Sequence, residues 1–328
     1  MKKWLKILLT VIALIAIALG WVLYDLQRAF REPALAGKFR RETLAAAQHQ
    51  RTFSFYVPDS VSKAPALIFV LHGSDGNGVQ MRKFSHFQFD VLADREGFIV
   101  VYPDGYKGFW NDCRKSADYA ANVENIDDPA FFRAMVAFFV ERFHADATRV
   151  YALGVSNGGH MIYRLALEMP ESFGALAAVA ANLPIEANLD CQPSQRPVSI
   201  AILNGTNDPI NPYNGGLVKL FGNSSRGVVR STAESAKYWT DLAGAVAPAA
   251  AQRMPERDGN PNTWIKRQIW RGRNDVEVRL YSLHGSGHVL PSRTSSIMDR
   301  VLGGGAADME AAPELWDFFS AHRTVPAQ

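Results

Sequence analysis

Arg149-Val150-Tyr151-Ala152-Leu153-Gly154-Val155-Ser156-Asn157-Gly158-Gly159 is the stretch on which the reading of this 328-residue chain turns. A short apolar run reaches a glycine, a serine follows two residues later, and two more glycines come after it. Residues 157–169 then carry helical spacing and stop before Pro170. An apolar strand that turns through a glycine-flanked serine into a helix has the layout of a nucleophile elbow. The turn is too tight for bulky neighbours, and it lifts the serine hydroxyl above the sheet. A glycine-rich turn with a bystander serine is the plainer reading; the strand before and the helix after favour the nucleophile.

The same alternation recurs on both sides. Apolar runs lie at 66–71, 98–101, 175–181 and 198–203, and residues 52–57 alternate as a strand does. Runs of this kind suit strands buried on both faces of a parallel sheet. Between them, residues 128–143 open with Asp128-Pro129 and carry Phe131, Phe132, Met135, Val136, Phe139 and Val140 at helical spacing. Residues 231–242 and 313–322 read as further helices, and 263–270 with 276–283 as a hairpin. Strand and helix in alternation predict an α/β fold, with a mainly parallel central sheet and helices on both faces. Residues 25–50 read as a polar connector with some helical character, 244–263 as a surface excursion, and 303–307 as a flexible joint. The expected division is an anchor or signal segment over 1–30, a connector over 31–50 and a catalytic domain over 51–328.

A serine hydroxyl attacks only when a base takes its proton. His288, in Leu283-His284-Gly285-Ser286-Gly287-His288, follows the last predicted strand, and two glycines leave its loop free to aim it. His284, at the strand's end, is the rival. An acid should fall between nucleophile and base, as in the α/β-hydrolase chain order Ser…Asp…His. Asp208, in Gly205-Thr206-Asn207-Asp208-Pro209, follows the strand at 198–203 and is the candidate. Its plainer reading is a turn aspartate before proline. The developing oxyanion needs two backbone donors. Asn157 N–H and Ser74 N–H are expected there, the latter from the loop His72-Gly73-Ser74-Asp75-Gly76-Asn77-Gly78. His72 reads as a residue that holds this loop. The loop lacks the lysine and spacing of a phosphate cradle.

Lysine and arginine total 35 against 32 aspartate and glutamate. The excess sits at Lys2, Lys3, Lys6 and Arg28, opposed only by Asp25; beyond residue 30 the signs cancel. No nucleic-acid footprint is indicated. Residues 7–24 carry no charge and as a helix extend about 27 Å, a bilayer's hydrocarbon thickness. Trp4, Trp21 and Tyr24 flank the run, and the lysines predict the N-terminus in the cytoplasm with the body outside. Ala18-Leu19-Gly20 suits a signal peptidase, so an uncleaved anchor and a cleaved signal both fit. Either reading places the body at the cell envelope or beyond it. The chain has two cysteines, Cys113 and Cys191. A disulfide between them would contribute about 4 kcal/mol through chain entropy; two buried thiols are the alternative. Neither lies in a metal-ligand cluster.

Taken in order, His72-Gly73-Ser74, Pro103-Asp104-Gly105 with Trp110-Asn111, Asp127-Asp128, Gly154 to Gly159, Gly205 to Pro209 and Gly287-His288 resemble the polyhydroxybutyrate depolymerase-like esterases, which are related to feruloyl and acetylxylan esterases. The resemblance covers roughly residues 50–322. It implies an α/β-hydrolase without a cofactor, secreted or in the envelope, that cleaves carboxylic esters through an acyl-serine. Ser156, Asp208 and His288 match the family's triad by motif, and the resemblance pairs Cys113 with Cys191. The sequence departs from the family at Leu290, where an aromatic is frequent. Trp110 and Tyr213 are candidate walls for the substrate cleft. The expected partners are an ester, small or oligomeric, and the membrane. Acyl transfer to an envelope acceptor, and a non-catalytic tethered binding module, are the alternative functions.

Overall fold

The computed structural model describes residues 2–220, 222–248, 250–305 and 307–324. After helix α1 (Lys2–Ala29) come strands β1 (Lys38–Ala46), β2 (His49–Val57) and β3 (Leu67–Leu71), helices α2 (Gly78–Phe84) and α3 (Gln88–Glu96), and strand β4 (Ile99–Pro103). Helices α4 (Ala120–Val123) and α5 (Asp128–Phe143) lead to β5 (Val150–Val155), α6 (Asn157–Glu168), β6 (Ala175–Val179) and β7 (Ser199–Gly205). Two short strands, β8 (Gly216–Leu217) and β9 (Val228–Val229), pair with each other before α7 (Thr232–Ala243). The chain ends with β10 (Gln252–Arg253), β11 (Trp264–Arg271), β12 (Glu277–His284), α8 (Ile297–Val301) and α9 (Ala311–Ser320).

Ten strands form one sheet in the order β1-β2-β4-β3-β5-β6-β7-β12-β11-β10. The six from β4 to β12 run parallel, and antiparallel strands close both edges. β3, β5, β6 and β7 are buried at every residue, which is why they read as unbroken apolar runs. One face packs on α5, α6 and α7 through Phe131, Phe139, Met161, Leu165 and Trp239. The other packs on α2, α3 and α9 through Met81, Phe89, Leu92, Leu315 and Phe318. This is the α/β-hydrolase arrangement that the sequence predicts.

Two expectations change. The connector over 31–50 contains β1, and β2 starts inside it, so the sheet begins at Lys38 rather than at residue 51. Lys38-Phe39-Arg40-Arg41-Glu42 shows no alternation because this edge strand is exposed on both faces; with no face to bury, nothing selects a period of two. Asp128, which the sequence offers as the N-cap of α5, is also replaced in that role by the residue before it. Asp127 accepts from Ala130 N, while Asp128 lies inside the helix, 2.7 Å from Arg51 Nη2. The excursion at 244–263 contributes the short strand β10, and residue 249 lies outside the described residues.

Candidate active site

Ser156 stands between β5 and α6 with φ 58° and ψ −118°. A non-glycine residue held at such a φ carries about 1–3 kcal/mol of strain. Close packing enforces it. A Cβ on Gly154 would lie 2.2 Å from Gly158 O, and one on Gly158 would lie 2.6 Å from His72 O. Ser156 N–H donates to Val179 O of β6 at 2.9 Å, which fixes the elbow to the neighbouring strand.

Asp208 follows β7 and His288 follows β12, its parallel neighbour. Asp208 Oδ1 accepts from Ile210 N and Asn211 N at 2.8 Å each, and Oδ2 meets His288 Nδ1 at 2.7 Å. A carboxylate can only accept, so in the neutral imidazole the proton sits on Nδ1 and Nε2 is the free acceptor. The backbone of His288 is held equally firmly: its N–H donates to Leu302 O at 2.7 Å, and Gly287 N–H to Gly304 O at 2.9 Å. Residues 303–305, expected as a flexible joint, instead brace the histidine; Ala306 lies outside the described residues. His284 stacks flat on Trp264 across the hairpin, with ring centroids 3.6 Å apart.

The three side chains leave the carboxyl ends of β5, β7 and β12, all parallel, and so emerge at one edge of the sheet. Among the described residues no hydrogen bond joins Ser156 Oγ to His288. Such contacts are often long until substrate is bound.

Neither Ser74 N–H nor Asn157 N–H donates to a described protein acceptor, so both amides are free for a ligand. The loop that carries Ser74 lies against the serine: a Cβ on Gly73 would be 3.3 Å from Ser156 Cβ. Side chains hold that loop from behind. His72 Nδ1–H donates to Gly73 O at 2.6 Å, and Nε2 accepts from Gly105 N at 2.8 Å. Burial pushes this imidazole down to about 4, so it stays neutral and keeps both bonds. Asp104 accepts from Gly78 N at 2.8 Å and from Thr52 Oγ1 at 2.6 Å.

Trp110 is fully buried and does not form a cleft wall. Its indole donates to His72 O at 2.9 Å, and it packs against His72 and Phe132. Tyr213 is half-buried, with its hydroxyl 2.6 Å from Ser282 Oγ on β12.

Sequence reading missed a buried polar cluster behind the elbow. The Asn157 side chain accepts from Trp110 N at 2.8 Å and donates to Asp112 Oδ2 at 2.6 Å. Arg114 and Tyr119 meet the same carboxylate oxygen at 2.6 and 2.5 Å. Burial alone would raise the Asp112 carboxyl, but Arg114 outweighs it and holds it below the usual range. His160, one turn beyond Ser156, is buried nearby and kept neutral, first by burial and then by Arg114. The residue between Asp112 and Arg114 is Cys113, bonded to Cys191 with 5.1 Å between the Cα atoms. The only sequence signal for this cluster was the unbroken run Trp110-Asn111-Asp112-Cys113-Arg114.

The fold and the elbow define an α/β-hydrolase, and comparison with known proteins narrows the class. The family model described as esterase PHB depolymerase matches residues 51–188. A putative esterase, NocK of Nocardia uniformis subsp. tsuyamanensis, is 26% identical over 310 residues, which is 90% of this chain and 83% of that protein. Feruloyl esterase B of Neurospora crassa is 33% identical over 134 residues, covering 38% of this chain and 41% of that protein. The chain thus spans less than half of that relative's length. An acetyl xylan esterase from Aspergillus awamori shares the fold with a TM-score of 0.53 at 18% identity, over 78% of this chain and 95% of that one. On these likenesses the chain is similar to the polyhydroxybutyrate depolymerase-like and feruloyl esterase-like serine esterases.

Proposed function

We propose that this chain is a carboxylic ester hydrolase that works through an acyl-serine, with Ser156, Asp208 and His288 as its triad. The observation that carries the reading is the pairing of Asp208 with His288 Nδ1 on loops that emerge at the same sheet edge as the strained Ser156. His288 Nε2 takes the Ser156 proton as Oγ attacks the ester carbonyl. Ser74 N–H and Asn157 N–H hold the oxyanion. The imidazolium, stabilised by Asp208, returns the proton to the leaving alcohol. Water, deprotonated by His288, then releases the acid. The names of the relatives favour acyl groups such as acetyl, feruloyl or 3-hydroxybutyryl.

The body is held outside the cytoplasm. The apolar stretch of α1 is unburied by the rest of the protein and long enough to span a bilayer, and the disulfide suits an oxidising compartment. The full chain should hydrolyse p-nitrophenyl acetate and label with a fluorophosphonate, and Ser156→Ala should do neither while keeping its circular dichroism spectrum. Turnover retained in Ser156→Ala refutes the nucleophile. Absence of labelling in the unmutated protein would instead favour a non-catalytic binding module.

A further inference from the structure

α1 does not end in a free linker. Its last turn packs on α8 and on the turn after α2. Asp25, buried at the foot of the apolar run, accepts from Ile297 N, the first residue of α8, at 2.7 Å. Arg300 on α8 lies over the Trp21 ring at 5.7 Å, and Arg28 donates to Ser295 O at 3.5 Å. Beside it, His86 Nδ1 meets Ala29 O at 3.0 Å, the His86 ring stacks on Phe30, and Glu32 pairs with Arg82 at 2.5 Å; His86 Nε2 also lies 3.9 Å from Asp299 of α8.

These two adjoining docking points belong to the segments that follow the two catalytic loops in the chain. α8 lies in the segment that returns to hold His288 through Leu302 O. Arg82 and His86 belong to α2 and the turn after it, which follow the loop of Ser74. From Asp25 along α8 to the His288 backbone is roughly 15 Å, taking 1.5 Å per helical residue plus two hydrogen bonds. Trp21 and Tyr24 mark interfacial depth on α1, so α8 lies at the membrane surface. It presents Met298 at 47% exposure and Val301 at 65%, and the exposed arginines Arg28 and Arg300 stand at its contact with α1, with Arg31 exposed just beyond. Apolar side chains ringed by arginine suit an anionic phospholipid leaflet. A hollow of about 300 Å³ beside α8, lined by Leu290, Ser295, Asp299, Arg300 and Gly304, opens next to the histidine loop.

We propose that α8 and the end of α1 seat on an anionic phospholipid leaflet and hold the catalytic edge there, so that the substrate is an ester carried at the bilayer surface. This rests on the esterase and anchor readings above. The test uses the full chain in phosphatidylcholine vesicles containing phosphatidylglycerol. First, a fluorophore placed through Met298→Cys should be quenched by lipids brominated near the headgroup; no quenching overturns the proposal whatever the enzyme hydrolyses. Second, turnover of a long-chain acyl ester dissolved in the vesicles is compared with that of soluble p-nitrophenyl acetate. The double variant Asp25→Ala/Arg300→Ala should lower the first about tenfold by removing the fixed effective concentration, and leave the second within about twofold. Met298→Asp/Val301→Asp, which leaves the Asp25 contact in place, should show the same split. Equal effects on both esters, or none on either, overturn the proposal, as does a mature protein that lacks residues 1–29. If the unmutated chain hydrolyses neither ester, the esterase reading fails, and the quenching result alone decides the membrane contact.

Discussion

The two sides of the candidate site are built differently. On the nucleophile side, buried side chains interlock: Asn157, Asp112, Arg114 and Tyr119 share one carboxylate behind the elbow, and His72 and Trp110 hold the facing loop. On the acid–base side, backbones do the holding. Two amides fix Asp208, and the His288 loop is clamped by carbonyls of residues 302 and 304. That clamp needs Gly287, where a Cβ would lie 2.0 Å from Leu302 O. The nucleophile side is therefore sensitive to loss of polar atoms, whereas the acid–base side is sensitive to added volume.

The comparison can be broken or sharpened by substitution. The largest effect should come from Asp208→Asn, which turns the imidazole to the wrong tautomer and should cut kcat by about 10⁴-fold with the fold intact. Esterase kinetics and circular dichroism check this; a loss under tenfold would remove Asp208 from the triad. Gly287→Ala should displace His288 by about an ångström and lower kcat about a hundredfold. The same change at Gly222, where a Cβ meets open space but φ is 85°, should cost about 1 kcal/mol of stability and leave kcat unchanged.

Asn157→Ala should lower stability by about 1–3 kcal/mol, since Asp112 and Trp110 N–H both lose a buried partner. Its kcat should fall roughly tenfold as the elbow loosens, with KM little changed. Urea unfolding and steady-state rates separate the two effects.

The smallest effect concerns pH. The His72 imidazole titrates near 4 when folded against 6.5 ordinarily. Between those values the unfolded chain binds the extra proton, so its contribution is present above 6.5 and is lost as pH falls towards 4. From pH 7 to 5 the loss is about 2 kcal/mol. The difference in urea midpoints between wild type and His72→Asn should shrink accordingly.

What could be read in advance follows the same division. The turn at Ser156 and the loops of Asp208 and His288 were legible because each rests on local demands: a glycine beside a strained serine, or a loop just past an apolar strand. The cluster around Asp112 was not, because Asn157 and Asp112 stand 45 positions apart and meet only after β5 and the preceding loop pack together. Trp110 was read as a cleft wall because an aromatic in a motif says nothing about which way it faces; burial placed it behind the loop. Gly303 to Gly305 looked slack by composition, yet a Cβ on Gly303 would lie 2.9 Å from Gly287 Cα, so the bare residue there lets the segment approach the His288 loop. β1 escaped notice because it buries almost nothing.

If α1 tethers the protein to a membrane as proposed, that bare edge strand has a consequence. Molecules restricted to two dimensions meet side by side far more often than in bulk, and an open row of amides and carbonyls invites sheets of adjacent copies to zip together. Lys38, Arg40, Arg41 and Glu42 line this row with charge, and the opposite border ends in a strand of only two residues. Neither border offers a flat, uncharged ladder for a neighbour to extend. Crowded copies can therefore diffuse past one another without fusing into a fibre.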